Sequence, residues 1–277
     1  MGKIKYAVFD LDGVLSKGEI FSKDPSGDML QGERENLEKW RQFMKDSEVQ
    51  CIAVTGRSLE ITRELLSHMD CISACEHGTV IFDPKTEESY STIDCETQFG
   101  NLIGAKNRLE EFIEKSEEFD ELLLKKFPGE SIKRMRENLH ILTYEFESEK
   151  GLEFAEELYS EIATFLPENI LDDISQGKLV LKKCGMAIDI MPAVTKSEGL
   201  SHILSKLEIS PDEVLIAGDS FHSDGPMMRV VEEGFWICPA NSDRRLKEEI
   251  LARGSQGYVS EKPFFEGSME GLRYFLE

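Results

Sequence analysis

The sequence predicts a Rossmann-like, doubly wound α/β core interrupted by an inserted α+β domain. Three observations predict it. Short apolar runs rich in β-formers, at 6–9, 51–54 and 214–217, each stop at polar residues and give way to helical spacing. Buried parallel strands read this way. The β/α alternation breaks off near residue 84 and resumes after Pro192. Between those points, alternating strands and amphipathic helices signal a different class. The core is therefore assigned to 1–83 and 186–277, and the insert to 84–185.

Each element follows from local pattern. The first strand ends in Asp10-Leu11-Asp12-Gly13. Residues 16–35 are polar, carry Gly18, Pro25, Gly27 and Gly32, and read as a loop or flap. Leu37, Trp40, Phe43 and Met44 give 37–45 helical spacing. The second strand, 51–54, turns at Thr55-Gly56-Arg57, and Ser58 is placed to cap a helix over 59–69. Residues 71–75 and 79–83 read as strands joined by a turn that His77 and Gly78 shape. In the insert, 101–126 reads as one long acidic helix, 138–146 as a strand and 151–165 as an amphipathic helix. Residues 178–183 and 187–191 form a hairpin around Cys184-Gly185. The remaining core shows helices over 197–207, 225–233, 243–252 and 268–276, with strands at 214–218, 235–238 and 258–259.

The composition sets limits on partners. With 54 acidic and 32 basic residues the formal charge is −22, which argues against nucleic acid and anionic membranes, since phosphate backbones need basic surfaces. No apolar run approaches the roughly 18 residues of a membrane span, and the N-terminus lacks a signal-peptide pattern. The six cysteines are scattered, and neither they nor the histidines show metal-ligand spacing. The expectation is a cytoplasmic protein with reduced thiols. The oligomeric state is left open. An anionic ligand would need a local positive group or a metal ion.

The chemistry concentrates at strand ends. In a parallel sheet, Asp10 and Asp12, Thr55 and Gly56, and Asp219 and Asp224 share one edge. Taken singly, each is an ordinary turn or helix cap. Gathered, the carboxylates would repel by about 4 kcal/mol per close pair at an effective dielectric near 20. Such a cluster calls for a cation, and an all-oxygen donor set with few protein ligands suits Mg²⁺. Thr55 and Gly56 offer a hydroxyl and open backbone N–H groups to a phosphate. Lys196 is a candidate point charge for that phosphate or for a carboxylate nucleophile. Arg57 either braces its loop or touches substrate. Lys182, with Lys178 and Lys183, reads as a solvated strand face or as a contact to a sugar or phosphoglycerate moiety.

These residues resemble the haloacid dehalogenase superfamily. The four motifs correspond to Asp10-Leu11-Asp12-Gly13-Val14, to Thr55 in Val54-Thr55-Gly56-Arg57, to Lys196, and to Gly218-Asp219-Ser220-Phe221-His222-Ser223-Asp224. The insert between the second and third motifs resembles the C2 cap of the sugar-phosphatase branch, which includes Cof-type, sucrose-phosphate and mannosyl-3-phosphoglycerate phosphatases. Pro239-Ala240-Asn241-Ser242 is similar to that branch's Asn-Ala loop, which makes Asn241 a candidate substrate contact. Ser223 stands where relatives commonly carry Asn.

The resemblance implies a Mg²⁺-dependent phosphatase acting on a small phosphorylated metabolite, a sugar phosphate favoured and mannosyl-3-phosphoglycerate one candidate. It implies Asp10 as nucleophile through an aspartyl-phosphate, Asp12 as general acid and base, and Mg²⁺ held by Asp10, the Asp12 carbonyl, Asp219 and Asp224. Two other readings are carried: a phosphohexomutase of the phosphomannomutase type, and an inactive metabolite-binding module.

Overall fold

The computed structural model describes residues 4–17, 31–67, 69–95, 99–184 and 186–277. Most of the expected flap (18–30), with His68 and Gly185, lies outside these residues. The chain divides into two compact units. One comprises the chain through Arg57 with Ile61–Tyr90 and Thr195–Glu277; the other comprises Ser58–Glu60 and Ser91–Val194.

In chain order the first unit begins with β1 (Tyr6–Phe9), α1 (Gln31–Ser47), β2 (Gln50–Val54), α2 (Leu59–Leu66), β3 (Cys71–Cys75), β4 (Val80–Asp83) and β5 (Glu88–Ser91). The second unit follows with α3 (Thr92–Cys95), α4 (Ile103–Glu114), α5 (Glu117–Lys126), β6 (Ser131–Met135), β7 (Leu142–Glu147), α6 (Leu152–Phe165), α7 (Glu168–Ser175), β8 (Leu179–Cys184) and β9 (Ala187–Pro192). The chain then returns through α8 (Lys196–Lys206), β10 (Val214–Ala217), α9 (Asp224–Arg229), β11 (Phe235–Cys238), α10 (Arg244–Ala252), β12 (Gly257–Val259) and α11 (Phe264–Leu276).

The first unit is built on an eight-stranded sheet ordered β12-β11-β10-β1-β2-β3-β4-β5. Strands β12 through β3 are parallel, and β4 runs antiparallel to β3. Successive side chains of β1 face opposite ways, so each enters a different core. Ala7 and Phe9 join Trp40 and Met44 of α1 and Phe265, Met269 and Leu272 of α11. Val8 joins Leu200 and Ile203 of α8, Met227 and Met228 of α9 and Leu246 and Ile250 of α10. Helices thus cover both faces, as a doubly wound sheet requires. Phe9 sits edge-on to Trp40, with ring centroids 4.7 Å apart.

The strand order also positions the site. The chain moves outward from β1 through β2 to β3, then returns to lay β10 on the other side of β1. The order reverses at β1, where open α/β sheets leave a crevice beyond the carboxyl ends. Phe9 is in register with Ala53 and Ala217, so the residues after these strands emerge at one edge.

The second unit is a four-stranded antiparallel sheet, β6-β7-β9-β8. Leu142, Tyr144, Ile188 and Ile190 pack into one core with Leu109 of α4, Phe119 and Leu123 of α5, Leu158 and Ile162 of α6, and Ile170 of α7. The structure revises several readings. The helix expected over 101–126 is two, because Ser116 turns its hydroxyl onto the Ile113 carbonyl at 2.9 Å and the chain restarts at Glu117. The boundaries of the insert move from 84 and 185 to 91 and 194. Strands β4 and β5 extend the first sheet through Ser91, while β9 pairs with β8 and β7 and so stays with the second unit. No helix among the described residues is long and apolar enough to cross a membrane.

Candidate active site

Asp10 follows the last residue of β1, and its N–H donates to the Ala217 carbonyl at 3.3 Å, which carries the parallel pairing one residue past the strand. Its carboxylate is held from two sides. Oδ1 accepts the Leu11 N–H at 2.7 Å, and Oδ2 lies 2.7 Å from the Lys196 ammonium. Lys196 opens α8, where Glu198 accepts the Thr195 N–H at 2.8 Å and caps the first turn. The ammonium donates a second bond, to Asp224 Oδ1 at 2.8 Å. All three residues are buried, at 6 %, 4 % and 0 % exposure for Asp10, Lys196 and Asp224. The Lys196 ammonium thus bridges Asp10 and Asp224.

Asp224 is the best-anchored carboxylate. Its Oδ2 accepts the N–H groups of Asp219 and Ser220 at 2.9 and 3.0 Å. Asp224 opens α9, and the residue before it, Ser223, donates its N–H to the Ser220 hydroxyl at 3.3 Å. Gly13 explains how Asp219 fits beside the first loop. Gly13 has φ +78°, and a Cβ there would lie 2.0 Å from Asp219 Oδ2. Only glycine adopts that backbone and leaves that space.

Asp10, Asp219 and Asp224 each offer a carboxylate oxygen, and these oxygens lie within 4.8 Å of one another. Their protonation reflects crowding. Burial, with the nearby Asp224 and Asp12 charges, pushes Asp10 up to about 7 against the pull of Lys196. Burial and the Asp224 and Asp10 charges push Asp219 up to about 8. Burial also acts on Asp224, but Lys196 and the two backbone N–H groups outweigh it and hold that carboxyl below its usual range. Burial disfavours the Lys196 cation, yet its two carboxylate partners raise it above the usual lysine value. One ammonium cannot balance three carboxylates. A hard divalent cation fits this all-oxygen set by charge and by donor type.

The Asp12 carboxylate stands outside that group, on Arg57. The guanidinium donates from Nε to Oδ2 at 2.8 Å and from its terminal nitrogen to Oδ1 at 3.2 Å. Arg57 is therefore committed to a site carboxylate, not left to the solvent. Thr55 is fully buried after β2; its hydroxyl accepts the Arg57 N–H at 3.1 Å and its carbonyl the His77 N–H at 3.0 Å. Gly56 lies against the His77 ring, close enough that a Cβ would meet it at 2.7 Å.

Asn241 and Lys182 take the following positions. Asn241 donates its amide N–H to the Gly13 carbonyl at 2.8 Å and accepts the Phe264 N–H at 2.7 Å. Its amide thus ties the Asp12-Gly13 turn to the start of α11. Lys182 lies on β8 of the second unit, opposite Asp189 in register. Sequence reasoning missed further braces: Ser268, whose hydroxyl donates to the Val14 carbonyl at 2.7 Å, and Asp243, which accepts the Phe221 N–H at 2.7 Å. An isolated Ser inside a helix and an Asp just before one carry no signal of such remote partners.

Comparison with known proteins agrees with this architecture. The family profile described as sucrose-6F-phosphate phosphohydrolase matches residues 8–276. A Thermoplasma acidophilum protein of solved structure is similar over 100 % of both chains, at 17 % identity and a TM-score of 0.63. The sucrose-phosphatase of Synechocystis sp., solved with sucrose and phosphate, is 16 % identical with a TM-score of 0.58, covering 99 % of this chain and 98 % of that one. The C-terminal domain of C. albicans trehalose-6-phosphate phosphatase is 15 % identical with a TM-score of 0.62, covering 99 % and 92 %. At these identities the structural neighbours speak to the fold, and the family match covers nearly the whole chain. The chain belongs to the sucrose-6F-phosphate phosphohydrolase family of haloacid dehalogenase-like, C2-capped phosphatases, and is a phosphoric monoester hydrolase.

Proposed function

We propose that this protein hydrolyses a sugar phosphate with Mg²⁺, through a phosphoryl group carried transiently on Asp10. The observation that carries the reading is the Asp10 carboxylate at the β1 switch point, fixed by the Leu11 N–H and Lys196 and flanked by Asp219 and Asp224. A carboxylate fixed in this way is oriented for attack on phosphorus. Asp10, Asp219 and Asp224 would hold the metal, with the Asp12 carbonyl as a fourth ligand. When bound, Mg²⁺ supplies charge that draws in the phosphate and stabilises its transfer. Asp12, set by the Arg57 fork, gives the leaving sugar oxygen a proton and then takes one from the hydrolytic water. Asp10 leaves as a carboxylate when that water attacks phosphorus. Thr55 and the backbone N–H groups at Gly56 hold phosphoryl oxygens.

The family match favours the phosphate ester of a hydroxyl-rich sugar, with sucrose 6F-phosphate the first substrate to try and mannosyl-3-phosphoglycerate in the same panel. The test is phosphate release from that panel with Mg²⁺, with EDTA, and in Asp10→Asn. Release from at least one sugar phosphate that needs Mg²⁺ and disappears in Asp10→Asn supports the reading. Full release in EDTA or in Asp10→Asn contradicts it. Isomerisation of a sugar phosphate without net phosphate release would transfer the assignment to a phosphohexomutase.

A further inference from the structure

Two of the three clustered carboxylates, Asp219 and Asp224, bound a single loop, and the start of α10 holds that loop from outside. Asp243, the residue before α10, donates its N–H to the Asp219 carbonyl at 2.8 Å. Its Oδ2 accepts the Phe221 N–H at 2.7 Å. An aspartate at this place ordinarily turns its carboxylate onto the first N–H groups of its own helix. Asp243 makes no such bond. The carboxylate that would cap α10 serves the loop instead.

The same helix start reaches the Phe221 ring. The Arg245 guanidinium carbon lies over that ring, 4.2 Å from its centroid. Arg229 of α9, forked onto Glu249 at 2.9 and 2.8 Å, lies 5.4 Å from it. A guanidinium within about 6 Å of an aromatic centroid is attracted to the ring. Phe221 stands between Asp219 and Asp224 in the chain, and it is held by its backbone to Asp243 and by its ring to Arg245. Those two carboxylates and Asp10 lie close enough to repel one another until a cation arrives. A loop free to relax that repulsion has to be ordered again when the metal binds, and that cost lowers the affinity.

We propose that Asp243 and Arg245 are positioning residues that hold the 219–224 loop ready for a divalent cation, acting through Phe221. The inference rests on the reading of Asp10, Asp219 and Asp224 as the Mg²⁺ ligands. The test titrates Mg²⁺ into the full metal-free chain by calorimetry and records a thermal melt of each variant in EDTA. Asp243→Ala should weaken Mg²⁺ binding about tenfold. Asp243→Asn keeps an acceptor for the Phe221 N–H and should stay within threefold of wild type. Arg245→Ala should weaken binding about threefold, with Arg245→Lys between it and wild type. A merely structural role would lower the melting temperature in EDTA and leave the Mg²⁺ affinity unchanged. Wild-type affinity in Asp243→Ala or in Arg245→Ala therefore overturns the proposal, as does an Asp243→Asn variant as weak as Asp243→Ala. Asp219→Asn separates the two readings. If it abolishes the titration while Asp243→Ala binds as wild type does, this inference alone falls. If wild type shows no saturable Mg²⁺ binding, or Asp219→Asn binds as wild type does, the metal reading falls and this inference with it.

Discussion

Arg57 grips both carboxylate oxygens of Asp12, at 2.8 and 3.2 Å, and so ties the turn after β2 to the loop after β1 across 45 residues of sequence. The fork sets the plane of the group assigned to proton transfer. Arg57→Ala frees that plane, and turnover of a sugar phosphate, whose alkoxide leaving group needs a proton, should fall by about 10²-fold. Hydrolysis of p-nitrophenyl phosphate, whose leaving group needs none, should fall far less. Arg57→Lys should recover only part of the loss, because an ammonium cannot reproduce the two-pronged geometry. Steady-state kinetics on both substrates with the two variants checks this, and an equal loss on both would remove Arg57 from the proton-transfer step.

Metal binding should release protons. In the folded protein Asp10 and Asp219 lie near 7 and 8, both above the ordinary carboxylate value, with burial the first cause. The folded state therefore holds these protons more tightly than the unfolded chain. Their contribution to stability is full below about pH 4, falls progressively above it and is gone once pH has risen through about 7 to 8. In EDTA these two groups should accordingly lower the melting temperature progressively from about pH 4 to about pH 8, with no further decline from them above that. Added Mg²⁺ should raise it more at pH 8.5 than at pH 6, with proton release detectable by calorimetry in buffers of different ionisation enthalpy. A stabilisation that is independent of pH would contradict the carboxylate cluster as the metal site.

Lys196 sits between two buried carboxylates, 2.7 Å from Asp10 and 2.8 Å from Asp224. Lys196→Met leaves both without their cation. Breaking a buried pair in this way costs on the order of 3–5 kcal/mol. Urea unfolding in EDTA should show a loss of that size, and phosphatase activity should fall at least 10²-fold.

Gly78 lets α8 begin where it does. It has φ +100°, and a Cβ there would lie 2.4 Å from the carbonyl oxygen of Thr195, the residue before Lys196. Backbone cannot yield as a side chain can, so Gly78→Ala should cost about 1–3 kcal/mol in stability and lower turnover by displacing Lys196. Denaturant midpoints and kinetics of the variant measure both effects.

The core and its strand-end residues were legible because buried parallel strands leave long apolar runs, and because Asp10, Thr55 and Asp219 interrupt those runs at their ends. Other elements left little trace. Strand β5, Glu-Ser-Tyr-Ser, lies at the edge of its sheet, and β6, Ser-Ile-Lys-Arg-Met, lies at the edge of the other. Edge strands tolerate charge and polarity, so periodicity does not reveal them. The break before α5 was hidden because Leu122, Leu123 and Leu124 continue the helical run of α4, although Glu117, Glu118 and Asp120 form an acidic first turn that marks a new start. At the site, residue types were readable and partners were not. Arg57 gave no sign of Asp12, and Asn241 none of Gly13 and Phe264, because those pairings come from tertiary structure.

The central claim, that Asp10 carries the phosphoryl group, is tested most directly by trapping it. The enzyme is acid-quenched during turnover of a hydrolysed ester with Mg²⁺, reduced with borohydride, digested and read by mass spectrometry. The account predicts conversion of Asp10, and of no other carboxylate, to homoserine. Steady phosphate release with Asp10 left unmodified, or modification of a different residue, would contradict it.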